Sequence, residues 1–143
     1  MPDPALASFD APNADFACVR RVRSNTPLAA LTSLNETVFI EASQALALRI
    51  LREGGTTDRD RARYGFRLCT GRSAKSSELD EVLALLQSRR ERLAEGWLPA
   101  REVAFGSSEK LPELPRGVSP SDVAAWTIAG RVLLNLDETV TKN

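Results

Sequence analysis

From residue 26 onward, apolar side chains recur at intervals of three and four, the period of amphipathic helices. Thr26-Pro27 suits an N-cap followed by the first helical residue, with Leu28, Leu31 and Leu34 on one face. Asn35 can cap a second helix whose broad apolar face holds Val38, Phe39, Ala42, Ala45, Leu46 and Ile50. Leu48 and Leu51 make that helix apolar nearly all round, which predicts a central position, and Gly54-Gly55 ends it. Thr57 with Asp60 forms the pattern of a capping box for a third helix over 58–69, with Ala62, Gly65, Phe66 and Cys69 inward and Gly71 as its stop. Ser76 or Ser77 opens a fourth helix, striped by Leu79, Val82, Leu83, Leu86 and Leu93. Its charged residues, Glu78, Asp80, Glu81, Arg89, Arg90 and Arg92, are expected outside. The segment 96–105 can turn once more as helix, and 106–118 reads as a loop. Ser119-Pro120-Ser121-Asp122 then starts a last helix carrying Val123, Trp126, Thr127, Gly130, Leu133 and Leu134, which fades near Asn135.

The first 25 residues lack this period. Pro2, Pro4 and Pro12 each remove a backbone donor and hold the preceding residue extended. Phe16 to Arg23 alternates weakly, as a short strand or extended chain would. The expectation is all-α: a compact bundle of about five helices over 26–143, with an extended N-terminal arm over 1–25. A length of 143 residues, 43% of them hydrophobic, is enough for one domain with its own core.

Charge narrows the chemistry. Nineteen basic residues balance nineteen acidic ones, so no net field favours nucleic acid or a membrane surface. No apolar run approaches the ~20 residues that span a bilayer, so no membrane insertion is expected. The N-terminus has no basic region before an apolar stretch and does not read as a signal peptide. There is no histidine, which removes the commonest general base and metal ligand, and two cysteines cannot complete a zinc site. Neither a cofactor nor a metal is expected. Cys18 and Cys69 could form a disulfide, pack as two thiols or leave one reactive thiol; packing as thiols is the expectation. No phosphate-binding loop or nucleophile elbow occurs, and Asp80-Glu81 and Asp137-Glu138 are adjacent pairs that diverge on a helix, so no catalytic residue is assigned. Arg20-Arg21-Val22-Arg23 and the ridge Arg59, Arg63, Arg67 read as solvated or ion-paired, with Asp60 placed to pair with Arg63.

Several stretches together resemble one family. They are Phe9-Asp10-Ala11-Pro12, Arg20 through Leu28 (Arg-Arg-Val-Arg-Ser-Asn-Thr-Pro-Leu), Ala30-Leu31, Leu34-Asn35 and Phe39-Ile40-Glu41-Ala42. Later come Arg52-Glu53-Gly54-Gly55, Gly65 through Cys69, Ala124-Ala125-Trp126-Thr127 and Leu133 through Glu138. The chain resembles the C-terminal part of the domain of unknown function 1553 family, the large planctomycete-type proteins that carry a cytochrome c module. It departs from that family at Ala29, where a glutamine is usual, and Met1 falls at a mid-domain position, as in a fragment of a larger domain. The resemblance implies an exported parent protein, periplasmic or at the cell surface, with upstream domains as partners.

Three functions follow as expectations. The first is a non-catalytic helical structural or interaction module; this chain alone is not expected to be an enzyme. The second is the end of an extracellular enzyme, such as one directed at carbohydrate, with its catalytic residues upstream. The third is a free-standing cytoplasmic adaptor. Arg21, Arg23 and Asn25, just ahead of the first helix, are costly to order without partners. With Asn35 and the carboxylates Asp137 and Glu138 they are the candidate docking residues, and an arm patch of Phe9, Phe16 or Val22 left uncovered would favour self-association.

Overall fold

The computed structural model describes residues 36–108 and 111–140. Six helices fill this span: α1 (Thr37–Glu53), α2 (Asp58–Thr70), α3 (Ser76–Ala94), α4 (Ala100–Phe105), α5 (Pro120–Leu134) and α6 (Asp137–Val140). There is no strand among the described residues, so the all-α expectation holds. The arm, the helix expected from Thr26 and the Asn35 cap lie outside the described residues.

The centre of the bundle is α5, which packs against all five other helices. Its sequence explains why. Ala124, Ala125, Ala129 and Gly130 are small enough to let neighbouring backbones approach, and Trp126 supplies a large fully buried side chain between them. Thr127 is buried without penalty because its hydroxyl donates to Val123 O at 2.9 Å. The helix begins as its sequence predicts: Ser119 Oγ accepts from the Asp122 N–H at 3.1 Å, and an Asp122 carboxylate oxygen accepts from the Ser119 N–H at 3.1 Å.

Two expectations about α1 are corrected. It is not the central element, and its buried residues are Ser43, Ala47, Ile50 and Leu51, while Val38, Ala42 and Ala45 face outward. The outer face is marked by Glu41, Arg49, Arg52 and Glu53, and Val38, Ala42 and Ala45 lie on that same side; the apolar residues, read without the charges, misplace them. On the inner face α5 packs close: a methyl group on Gly130 would stand 3.2 Å from Ser43 O, so the backbones cross where both helices carry small residues. Ser43 satisfies its hydroxyl on Ile40 O at 2.7 Å, and Gln44 ties α1 to α4 by donating to Val103 O at 3.1 Å.

The α2 expectation holds residue for residue: Ala62, Gly65, Phe66 and Cys69 are the buried set, and Thr57 accepts from the Asp60 N–H at 3.1 Å. Gly71 ends α2 in the left-handed region at φ +80°, as glycine permits. In α3, Leu79, Val82, Leu86 and Leu93 are buried, and Leu83 is half-buried. Neither Ser76 nor Ser77 caps it. Lys75 stands at the cap position, its N–H donating to Glu78 at 2.6 Å, while the Ser76 hydroxyl accepts from Arg59 at 3.0 Å. α5 ends at Leu134 with Asn135 as its C-cap, as expected, and α6 then adds a separate turn that starts at Asp137.

Candidate functional site

Where α2, α3, α5 and α6 meet, the bundle leaves a cleft of about 370 Å³ open to solvent. Phe66, Val82, Leu85, Leu133 and Leu136 form its apolar lining, with the exposed Val132 at one edge. The rim is charged, and Arg72 organises it. This residue follows directly on Gly71, so the left-handed stop of α2 aims the chain toward both acidic helix starts. Its guanidinium donates to Glu78 at 2.6 and 2.9 Å and to Glu138 at 2.6 and 2.9 Å, and it lies 4.9 Å from the centre of the Phe66 ring. One planar cation thus joins the start of α3 to α6 while stacking on the cleft floor. The bonds from Arg72, with the Lys75 N–H, hold the Glu78 carboxyl down at about 2. Arg72 likewise lowers the Glu138 carboxyl, outweighing its desolvation. Both acids therefore stay ionised and engaged, which suits a clamp and makes them poor proton donors near neutral pH.

A second cluster lies around Arg90 of α3. Its guanidinium forks onto both carboxylate oxygens of Asp58, at the start of α2, and approaches Asp122, at the start of α5, at 3.3 Å. Burial pushes the Asp122 carboxyl up, but the Ser119 hydroxyl and N–H together with Arg90 more than offset it and hold it low. Arg90 therefore staples two helix N-termini to the middle of the bundle. It was expected outside with the other α3 charges; it is half-buried because two acids face it.

The docking candidates divide. Arg21, Arg23, Asn25 and Asn35 lie outside the described residues. Asp137 and Glu138 do come together at the cleft, but Glu138 is bound to Arg72 within the bundle. Arg72, Glu78, Arg90, Asp58 and Asp122 carried no signal as a set, because Arg72 sits in a turn without a period and reaches Glu138 across 66 positions. Arg63 pairs with Asp60 at 3.0 Å, as the spacing predicts, and Arg59 pairs with Asp80 at 2.8 Å. Cys69 is buried on the inner face of α2, and Cys18 lies outside the described residues. Among the described residues no group of three acids or cysteines is placed to hold a metal ion, and no helix is long and apolar enough to cross a membrane.

No curated protein and no solved structure matches the chain. A family match covers residues 1–86 and so ends within α3; α5 and the stretches 124–127 and 133–138, on which the resemblance also drew, lie beyond it. On that match the chain belongs to the family described as Protein of unknown function (DUF1553).

Proposed function

We propose that this chain is a non-catalytic helical interaction module, the C-terminal part of a larger exported, cytochrome-linked protein whose upstream domains are its partners. One contrast carries this reading. Arg72, Glu78 and Glu138 of the cleft and Arg90, Asp58 and Asp122 of the second cluster are tied into ion pairs that hold helices together, whereas Trp97 and Val38 stand 75% and 71% exposed. Chemistry would need the polar groups available and the apolar ones buried; a contact surface needs the reverse. Tryptophan in particular contributes strongly when a partner buries it, and a fully exposed indole gains nothing alone. The export and cytochrome linkage follow from the family resemblance.

The experiment is co-elution of this chain with the separately expressed upstream portion of its gene product. Complex formation, lost in Trp97→Ala or Val38→Asp, supports the reading. Binding that survives both substitutions, or the absence of any complex, contradicts it.

A further inference from the structure

We propose that the cleft between α2, α3, α5 and α6 is a binding site for a small organic monocation, an apolar body of about ten non-hydrogen atoms that ends in one ammonium group. Size and shape set the first half of that description. The cleft holds about 370 Å³, at the small end of ligand sites. Its lining takes in residues 78–85 of α3, ~10 Å of helix, and only the last turn of α5. A docked peptide helix needs a longer groove, and no sheet edge exists among the described residues to receive an extended chain. The floor of Phe66, Val82, Leu85, Leu133 and Leu136 therefore suits a compact apolar body.

The polar half follows from the donors on the rim. Arg72 has five N–H groups and all are engaged: Nε on Glu138, Nη1 on Glu78 and Ser73 O, and Nη2 on Glu78 and Glu138. The Phe66 ring covers one face of the same guanidinium. An incoming anion thus finds no free donor on Arg72, the one cation that lines the cleft among the described residues. Lys75 is exposed and lies outside the lining, and its charge already acts on Glu78 and Glu138. Two acids facing two cations leave this clamp with no net charge. Asp137 is itself already engaged. What remains is Glu81 on the rim, exposed and without an ion pair among the described residues. Its carboxylate only accepts, so a cationic donor complements it, and one uncompensated carboxylate calls for one positive charge. Because Glu81 stays in water, its attraction selects among ligands that the floor holds rather than supplying most of the affinity. This inference concerns the cleft alone and does not depend on what covers Trp97 and Val38.

The probe is phenethylamine, titrated into the isotope-labelled full chain at neutral pH and compared with 3-phenylpropionate, which carries a carboxylate on the same apolar body. Saturable shifts are expected at the amides of Glu81, Leu85 and Leu136, with a dissociation constant on the order of millimolar, as a ligand of this size permits. The carboxylate should bind at least about fivefold more weakly, and Glu81→Gln should weaken the amine about two- to fivefold without weakening the carboxylate. Val132→Lys, at the exposed edge of the cleft, should remove saturable amine binding. Both substituted side chains are exposed, so the remaining amide signals report that each variant is folded. Equal binding of the two probes, shifts centred elsewhere, or an amine affinity unmoved by Glu81→Gln overturns the proposal. So does the absence of saturation up to roughly 50 mM amine. Co-elution with the upstream portion is a separate readout, so the two proposals can fail independently.

Discussion

Ile50 of α1 closes directly over Gly65 of α2: a methyl group on that glycine would lie 2.6 Å from Ile50 Cδ1 and 3.3 Å from Leu133 Cδ1. Ile50 is fully buried, so it has no free space into which to turn. Replacing a mid-helix glycine by alanine ordinarily gains ~0.5–1 kcal/mol. Here overpacking, at ~1–3 kcal/mol, exceeds that gain. Gly65→Ala should therefore lower stability in a denaturant titration. Ile50→Val removes the clashing methyl, so the double variant should be more stable than the sum of the two single effects. Strict additivity would mean that the two residues are not in contact.

Trp126 is fully buried, yet its indole N–H finds no hydrogen-bond partner among the described residues. An unsatisfied buried donor costs ~1–3 kcal/mol, which offsets much of the packing lost when the ring is made smaller. Trp126→Phe should therefore change stability by less than about 1.5 kcal/mol, whereas Trp126→Ala should cost ~3–5 kcal/mol. Equal, large losses for both would show that the N–H is engaged.

Arg90 joins three helices through Asp58 and Asp122, all three side chains being about 30% exposed. Arg90→Met keeps the aliphatic stem but takes the guanidinium from two half-buried carboxylates, leaving Asp58 only the more distant Arg61 at 3.9 Å. A loss of ~1–3 kcal/mol is expected, read by thermal or urea unfolding. A change within about 0.5 kcal/mol would place this pair among surface ion pairs of no consequence.

The Arg72 clamp sets an acid dependence. The Glu78 carboxyl sits at about 2 in the folded chain against an ordinary 4.5, and Glu138 is shifted the same way. A carboxyl that is lowered by folding contributes stability that is fully present above 4.5 and is lost as pH falls from there toward 2. The melting temperature of the wild type should fall through that window, and Arg72→Gln should flatten the fall. An identical slope in the variant would show that the clamp does not act on folding.

Much of this architecture is legible locally. The inner face of α2 stands out because every residue off that face is polar or bulky, and the Ser119–Asp122 cap announces α5 within four positions. The face of α1 is legible from its charges, since Glu41, Arg49, Arg52 and Glu53 line the exposed side, but not from its apolar residues, because Val38, Ala42 and Ala45 share that side. Leu83 shows the same limit within α3: it shares the stripe of Leu86, yet Leu86 is buried and Leu83 only half so, because a period gives direction and not depth. The cleft's organiser was hidden for another reason. Arg72 is one arginine among many, and what distinguishes it is the convergence of Glu78 and Glu138, which only the folded chain brings together.

If the chain works through a surface that a partner covers, as proposed, the two tryptophans offer a direct reading of it. Trp126 is already buried and Trp97 is 75% exposed, so a change in environment on partner binding falls on Trp97. Emission should be followed while the upstream portion of the gene product, with its own tryptophans replaced by phenylalanine, is titrated into this chain. The account predicts a saturable blue shift, absent in Trp97→Phe, as the indole leaves water. An unchanged spectrum at concentrations where the two portions are shown to bind would place the contact elsewhere and contradict the account.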